Sequence, residues 1–391
     1  RHHLFVFCYM PREAHNMVIR IVMIILLLSG SVCSQSKVGT ELELVQFLFP
    51  PSVRSAGMGT VGVMLANGDA AHFNPALLAL GNYDYFFVSF NPVSTKIYGM
   101  DQVRHRTEYF SAKLPLSQAS PITVAIGYGH VGLTYGPFVE GTYNGGVDYP
   151  DQAAEEFYFE EGSRAAAVGV AWSGSLELAV GVALKWIDSD IPSTDISGRT
   201  GDVGFAARIP MNRSGTVPTD PSALRLRTNL LFGLSFQNYG PDIEYEYGWF
   251  RPPKTGRWGI GLELAYSTGY HDWLTLFPVF EKKIRYSSEH DPEYRFGLEI
   301  GLAELLLLRF GRVDLAYDDD SIADDHNTLG IGLSTVGLRK LITGDKSAEQ
   351  DRSGFGQYLL DNLNVEFSFA RIDIFRDIFG ATDYYALRLT L

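Results

Sequence analysis

The stretch that decides the fold is Leu176–Trp186, which reads Leu-Glu-Leu-Ala-Val-Gly-Val-Ala-Leu-Lys-Trp. Its even-numbered positions are apolar throughout, whereas its odd-numbered positions carry Glu177, three small residues and Lys185. Successive side chains of a strand point to opposite sides, so alternation with a period of two predicts a β-strand with one apolar face.

The same alternation recurs along the chain beyond about residue 82. It predicts fourteen strands, near residues 83–90, 107–114, 121–130, 163–172, 175–187, 201–210, 225–238, 256–267, 272–284, 293–302, 305–313, 327–335, 363–370 and 383–391. An even number of strands leaves both ends of the chain on one side of a membrane, as bacterial barrels require.

The polar face of these strands indicates the class of β-protein. It holds mostly Gly, Ala, Ser and Thr, and the apolar face often ends in Tyr or Trp. A transmembrane antiparallel β-barrel needs this arrangement, with apolar residues outside, aromatic girdles at the interfaces and a polar lumen. A soluble β-sandwich is the alternative, but it would carry long charged side chains on its outer face. Only 20% of the residues are charged, which is low for the surface of a soluble protein.

The connections are expected to alternate in length. Short periplasmic turns are predicted at 116–120, 173–175 and 268–271, and outer loops at 131–162, 188–200 and 239–255. Two further periplasmic links, 211–224 and 336–362, are longer than such turns usually are. The last strand ends at Leu391, which suits barrel closure, because an unpaired strand edge in lipid would leave backbone groups without hydrogen bonds.

The beginning of the chain predicts export. Residues 17–36 resemble a signal peptide, with Arg20 before the apolar run 21–28 and small residues after it, and cleavage is expected after Ser34. Acylation of Cys33 in a lipoprotein is the alternative. Residues 1–16 are interpreted as upstream translation, so residues 1–34 are assigned to the removed region. Both cysteines lie in this region, so the mature chain is expected to have no disulfide.

The expected location is therefore the outer membrane of a Gram-negative bacterium. The formal charge of −13 argues against nucleic-acid binding, which needs a basic surface. No cofactor is expected.

Residues 35–81 break the alternation and are predicted to form a hatch inside a barrel of residues 82–391. Their glycines suit a compact segment packed against other backbone. The residues proposed to contact a ligand in this hatch are Met58, His72, Phe73, Asn74 and Pro75.

Two blocks of the predicted hatch resemble a known family. The first is Ser52-x-Arg54-x-Ala56-Gly57-Met58-Gly59, and the second joins Asp69 to Asn74-Pro75-Ala76. They are similar to the start of PorV/PorQ-type proteins, which are relatives of the FadL long-chain fatty-acid channel. Ser89–Pro92 and 233–241 also resemble that family, and the resemblance covers most of the mature chain.

The resemblance implies a fourteen-strand barrel with an N-terminal hatch. For a PorV-type protein it also implies the binding and shuttling of exported proteins at the cell surface, as in type IX secretion. The alternative is a FadL-like channel for the uptake of hydrophobic small molecules. The expected partners are therefore outer-membrane lipid together with cargo proteins and secretion components, or a hydrophobic small molecule.

Several charged residues are predicted to face the lumen, where they would line a path or pair with each other and the hatch. They are Glu177, Lys185, Arg225, Arg227, Glu263, Arg295, Glu299, Glu366 and Arg388. Aromatic residues of the predicted outer loops are expected to bind a partner or to form a lid over the lumen. They are Tyr135, Phe138, Tyr143, Tyr149, Tyr245, Tyr247, Trp249 and Phe250.

Two motifs and the catalytic residue types bear on other functions. The glycine pattern at 57–62 matches a dinucleotide fingerprint, but the flanking strand and helix that such a site needs are missing. A solvated acidic loop is favoured over a weak Ca²⁺ site at Asp318, Asp319, Asp320, Asp324 and Asp325. No hydrolase motif is present, so an enzyme is not expected, although a site built from distant residues stays open.

Overall fold

A computed structural model describes most of the chain. The described residues are 49–91, 95–97, 100–114, 120–139, 156–191, 194–211, 224–245, 248–268, 271–286, 292–314, 326–343, 362–372 and 381–391. The predicted signal peptide, with Cys33, and the acidic residues 318–325 lie outside them.

Long antiparallel strands make up most of the described chain. They are β1 (Phe86–Phe90), β2 (Thr95–Ile97), β3 (Met100–Leu114), β4 (Ile122–Val139), β5 (Glu156–Ser173), β6 (Glu177–Ile191), β7 (Thr194–Pro210), β8 (Leu224–Tyr239), β9 (Ile243–Tyr245), β10 (Gly248–Phe250), β11 (Thr255–Thr268), β12 (His271–Arg285), β13 (Glu293–Leu302), β14 (Leu306–Asp314), β15 (His326–Ser334), β16 (Asn364–Ile372) and β17 (Thr382–Thr390).

Each long strand pairs with its neighbours along the chain, and the sheet closes on itself. β1 pairs with β3 on one side and with β17 on the other, and β2 pairs with β3 farther along. β1 and β2 therefore share one position in the wall, and β9 and β10 form a separate hairpin. Among the described residues this gives a closed antiparallel barrel of fourteen strands, which confirms the predicted fold class.

The strands run farther at one end than the alternation indicates. The predicted loop 188–200 is wrong, because Asp188–Ile191 pairs with Thr194–Ser197 in a continuous β6–β7 hairpin. Both ends of the predicted loop 131–162 also lie in strands, residues 131–139 in β4 and residues 156–162 in β5. The outward positions there are polar, for example Asp188 and Ser197, so the apolar alternation stops before the strand does.

The two faces of the wall differ as the alternation predicts. On β6 the outward side chains of Val180, Val182 and Leu184 are 44–56% exposed, whereas the inward Ala179 and Lys185 are buried. An exposed apolar belt of this kind is the surface that a membrane barrel presents to lipid. We call the end with the tight hairpins at 173–177 and 302–306 the turn end, and the opposite end the loop end.

Residues 49–81, here called the N-terminal segment, are packed against the inward face of the wall. The segment contains helix α1 (Val53–Gly57), a short 3₁₀ helix (Ala70–His72) and helix α2 (Leu77–Leu80). α1 lies against β14–β17, and α2 lies against β4–β7. Leu77, Leu78 and Leu80 pack on inward alanines of β4–β7, so the core of the molecule lies inside the barrel.

A third helix, α3 (Thr335–Thr343), follows β15 at the turn end. It forms the first part of the link 336–362, which is longer than a periplasmic turn usually is. The amide of Gly337 donates to the carbonyl of Glu304 in the neighbouring turn, which fixes the helix to the rim. Among the described residues, none of the helices is both long enough and apolar enough to cross a membrane.

The last strand closes the barrel and yields the first prediction. Leu387–Thr390 pairs with Phe87–Phe90, and the carbonyl of Leu391 accepts hydrogen bonds from the amides of Asp84 and Tyr85. Deleting residues 387–391 removes these bonds and leaves strand edges open in lipid. We expect the truncated chain not to assemble, as judged by loss of heat-modifiable mobility on electrophoresis. Normal mobility of the truncated chain would contradict this closure.

Candidate functional site

Glycines on the inward face let the backbone of the N-terminal segment approach the wall closely. A methyl group on Gly169 would lie 2.6 Å from the carbonyl oxygen of Pro75, and one on Gly297 would lie 2.7 Å from that of Met58. Gly311, opposite Gly59, is tighter still. A side-chain methyl carbon does not come within 3 Å of another non-bonded heavy atom. The small inward residues are therefore needed to make room for the segment.

A chain of buried ion pairs joins the segment to β13–β17. Arg54 pairs with Glu299 at 2.7 Å, and Glu299 also binds Arg309. Arg309, fully buried, pairs with Glu366 at 2.8 Å. Arg388 then connects Glu366 to Asp69, so the chain of charges begins and ends on the N-terminal segment. Buried charges are tolerated only when they are paired in this way.

A further buried carboxylate, on β12, also holds the segment. Glu281, which is fully buried, accepts hydrogen bonds from the amides of Gly62 and Val63 at 2.7 and 2.9 Å. The same carboxylate pairs with Arg257, whose guanidinium donates to the carbonyl of Thr60. One inward side chain of β12 thus fixes a turn of the segment through its backbone.

Neutral side chains complete the attachment of the segment. The amide of Asn74 donates to the carbonyls of Val63 and Phe205, at 3.1 and 3.0 Å. Gln237 of β8 donates to the carbonyls of His72 and Phe73. The ring of His72 lies 3.2 Å from the hydroxyl of Ser163, Nε2 to Oγ. The bonds from Asn74 and Gln237 satisfy backbone carbonyls that irregular structure would otherwise leave unpaired.

A cavity of ≈ 100 Å³ lies between the segment and the wall, on the loop-end side. By this measure one water molecule needs about 10–15 Å³, so the cavity has room for several waters or a small chemical group. The segment contributes one side of the lining, which consists of Phe49, Pro50, Pro51, Thr60, His72 and Phe73. The wall contributes the other side, which includes Ser163, Lys185, Gln237, Thr255, Arg257, Lys283 and Arg295.

The two sides of this cavity differ in chemistry. The segment presents aromatic rings and prolines, whereas the wall presents four basic side chains. Their partners Asp202, Glu281 and Glu293 are not among the described residues that line the cavity. The arrangement can hold a negatively charged or strongly polar group together with the adjoining part of an apolar molecule.

His72 is neutral in this setting. Burial lowers the pKa of His72 well below its usual value, and the nearby Lys185 ammonium lowers it further. The neutral ring shares one hydrogen bond with Ser163 and takes no part in the described ion pairs of the wall. The cavity therefore keeps its charge on the wall side alone.

Of the five ligand-contact candidates in the N-terminal segment, two line the cavity. His72 and Phe73 do so, whereas Met58 is fully buried against Gly297 of β13. Asn74 uses its side chain to hold backbone groups, and Pro75 packs against glycines of β5 and β6. Met58, Asn74 and Pro75 thus do not line this cavity, because they are closely packed elsewhere, and contact of a ligand with the five residues stays a prediction.

The predicted lumen charges all occupy inward positions of the strand alternation. Glu299, Glu366 and Arg388 belong to the chain of ion pairs that includes Arg54. Lys185 and Arg295 line the cavity. The rest lie toward the turn end, where Arg208 pairs with Glu177 and lies near Glu263, Arg227 pairs with Asp272, and Arg225 is half-buried.

The aromatic residues predicted in outer loops occupy several different environments. Tyr135 lies in β4, where its hydroxyl donates to Glu161. Phe250 is fully buried with Ile187 and Ile196 in the barrel mouth, and Trp249 is 62% exposed. Tyr135 is thus half-buried and Phe250 buried, and the role of these aromatic residues as a partner surface or as a lid stays a prediction. Phe138 and Tyr245 lie in strands, but their side chains are not described, and Tyr143, Tyr149 and Tyr247 lie outside the described residues.

Sequence reasoning missed two basic residues of the cavity wall. Arg257 and Lys283 both occupy odd-numbered positions, on the inward face of β11 and β12. The alternation around Gly259 and Glu263 could have assigned Arg257, since it has the same parity. No local signal shows that these side chains converge, because that depends on the pairing of β11 with β12.

Comparisons with known proteins give structural similarity at low identity. No known family model and no curated protein sequence matches the chain. The chain is similar to CymD, a monoaromatic hydrocarbon channel, with 9% identity, a TM-score of 0.42 and coverage of 86% of this chain and 95% of that one. For the Pseudomonas putida toluene transporter TodX the identity is 12%, the TM-score 0.39 and the coverage 86% and 96%. A FadL homologue of Pseudomonas aeruginosa gives 9%, 0.36, 86% and 95%.

The close approach at Gly297 gives a prediction about the segment. Replacing Gly297 by Val places a branched side chain against the backbone of Met58. We expect the barrel to form but the packing of the segment to weaken by about 1–3 kcal/mol, the usual cost of overpacking. Limited trypsin digestion at Arg54 should then accelerate by about 5- to 150-fold.

Gly201 provides the matched control, since a methyl group there has no neighbour closer than 3.6 Å. Gly201→Ala should digest at the same rate as the parent. Equal digestion rates for Gly297→Val and the parent chain would show that the segment does not lie against β13.

The buried neutral His72 predicts a pH dependence of stability. The unfolded chain binds a proton near the ordinary pKa of about 6.5, whereas the folded chain does so only at lower pH. Protonation therefore favours the unfolded chain, and stability should fall by about 1.4 kcal/mol for each pH unit below 6.5. The difference in unfolding free energy between the parent and His72→Gln should shrink by about that amount between pH 7.5 and 5.5. A constant difference would mean that His72 is not buried as a neutral ring.

Proposed function

We propose that this protein is a FadL-like channel in the outer membrane of a Gram-negative bacterium. It takes up small hydrophobic molecules that also carry a negatively charged or strongly polar group. We favour this function over the PorV-type role, because the described site suits a small molecule better than a protein.

The observation that carries the proposal is the cavity above the N-terminal segment. Its apolar side is formed by Phe49, Pro50, Pro51 and Phe73, and its basic side by residues of the wall. Binding sites for small molecules are usually apolar with a few convergent polar groups that fix orientation. The cavity lies on the loop-end side of the segment, and in bacterial barrels this end faces the outside medium.

Passage through the barrel requires the N-terminal segment to move. Buried ion pairs at Arg54 and Asp69 hold it, as do two backbone hydrogen bonds to Glu281. A ligand that fills the cavity touches Thr60, His72 and Phe73 at once. It thereby acts on the segment close to these attachments, and we assign the segment the role of a plug that the ligand displaces.

The outer membrane is the location that the features of the chain favour. The wall presents apolar side chains outward on all sides of a closed sheet, as a barrel in lipid must. The predicted signal peptide at 17–36 supplies a route to that membrane.

The experiment fills the cavity without altering the outer surface. Thr255 is buried and lines the cavity, so Thr255→Trp should block it. Uptake of radiolabelled oleate would be measured in a Gram-negative host that lacks its own channel for this compound. We expect Thr255→Trp to lower the uptake rate by at least about tenfold, provided that heat-modifiable mobility shows a folded barrel.

Ile260→Trp is the matched control, because Ile260 lies on the same strand but faces outward and is 44% exposed. It should retain the parental rate. A second arm uses Lys283→Gln, which should impair uptake of oleate more than uptake of neutral toluene. Parental uptake by folded Thr255→Trp would overturn the proposed channel.

A PorV-type role at the cell surface is the second candidate. It is favoured by the β9–β10 hairpin, which carries the exposed Trp249 and is fastened at its base by the pair Asp242–Arg251. The Arg251 guanidinium, which binds Asp242, also lowers the pKa of that carboxyl. Because Thr255→Trp leaves this hairpin unchanged, cargo binding that survives the substitution while uptake is lost would separate the two functions.

A further inference from the structure

The outward face of β3–β7 changes from apolar to polar along one row of paired residues. Toward the turn end of this row the outward residues are apolar, as at Phe110, Tyr128 and Val168. The row itself consists of the paired positions Glu108, His130, Arg164, Trp186 and Arg199. In a membrane barrel, this is the level at which the hydrocarbon ends and the lipid headgroups begin.

Basic side chains are concentrated on this part of the outward face. Arg104, Arg164 and Arg199 are exposed and form no ion pair with any of the described residues. Arg106, with 64% of its side chain exposed, pairs with Glu108. His130 lies 3.7 Å from the same carboxylate, Nδ1 to Oε2, so Glu108 is already occupied.

A cleft of ≈ 320 Å³ opens beside these residues. The missing side chains of Gly132 and Gly162 make room in it, and the ring of His130 lies close to both glycines. Arg106 and Arg164 line the cleft on the membrane side. Two guanidinium groups, one from β3 and one from β5, therefore line the cleft next to the lipid boundary.

The loop-end side of the cleft has the opposite charge. Glu160, Glu161, Asp188 and Asp190 line it there, and Glu161 accepts from the hydroxyl of Tyr135. Asp190 accepts from the amide of Glu160, and Asp188 accepts from the hydroxyl of Ser197 at 3.1 Å. An anion in the cleft is thus attracted to the arginines and repelled from the outer edge, which sets its depth at the membrane surface.

We propose that this cleft binds a phosphate group of an anionic lipid in the outer leaflet. Guanidinium groups bind phosphate through two parallel hydrogen bonds, and they do so best where water is partly excluded. The lipid chains would lie along the apolar belt below Tyr128 and Val168. The half-buried Trp186, at the same boundary, would contact the headgroup region.

Other basic residues on the outward face are already engaged. Arg371 forms a two-point pair with Asp383, and the ammonium of Lys282 lies over the ring of Tyr294. Arg312 also has a partner. The arginines of β3, β5 and β7 are therefore the basic groups of the described wall that are best placed to bind lipid phosphate.

The test measures binding of purified bisphosphorylated lipid A to the full-length mature protein in detergent, by native mass spectrometry. We expect one lipid to remain bound at a concentration where lipid A with both phosphates removed does not. The variant Arg106→Gln/Arg164→Gln/Arg199→Gln should bind lipid A at least about tenfold more weakly. The matched control Lys282→Gln/Arg312→Gln/Arg371→Gln removes the same charge elsewhere on the outward face and should bind like the parent.

Three results would overturn the proposal: equal binding of phosphorylated and phosphate-free lipid, parental affinity of the β3–β7 variant, or an equal loss in the control variant. If the triple variant fails to show heat-modifiable mobility, the single variant Arg164→Gln takes its place, with at least about a threefold loss expected. Uptake of oleate is an independent readout, since these substitutions do not touch the cavity inside the barrel.

Discussion

Backbone hydrogen bonding in a medium without water is the constraint on which the rest of this structure depends. Hydrocarbon offers no partner to an amide or a carbonyl, so a sheet that spans it must close. Closure here rests on β17, which joins β16 to β1, and on the short strands β1 and β2, which together occupy one position beside β3. Because all wall strands alternate, closure also separates a lipid-facing side from an enclosed one.

The enclosed side is occupied by the N-terminal segment rather than by water alone. Glycines of the wall bring backbone against backbone, as between Gly311 and Gly59. Charges enclosed in this way are tolerable because each has a partner, for example Arg309 between Glu299 and Glu366. Removing one member of such a pair typically costs about 3–5 kcal/mol. The same pairs that stabilise the packed segment would have to be exchanged if a ligand displaced it.

The sequence predicts the wall well because alternation is a local signal. A strand such as Leu363–Phe369 shows its two faces within seven residues. The prediction failed for residues 188–200, where outward residues become polar above the lipid level and the periodicity disappears although the β6–β7 pairing continues. Alternation reports the environment of a strand, not its length.

The site was harder to predict, because it depends on which inward residues converge. His72 and Phe73 were selected for their place in a family-like motif, and both line the cavity, whereas Asn74 and Pro75 of the same motif serve packing. Arg257 and Lys283 come from different strands, and they meet only because β11 pairs with β12 in one register. The pairing of residues that are far apart in the sequence cannot be predicted from either stretch of sequence alone.

Residues 49–81 form an ordered structure enclosed by the barrel, and hydrogen–deuterium exchange of the folded protein in detergent tests this enclosure without any substitution. We expect the amides of Gly62, Val63 and Asn74 to exchange as slowly as those of the neighbouring strand β13, because they are buried and hydrogen-bonded. Complete exchange of these amides within seconds, while β13 stays protected, would contradict it.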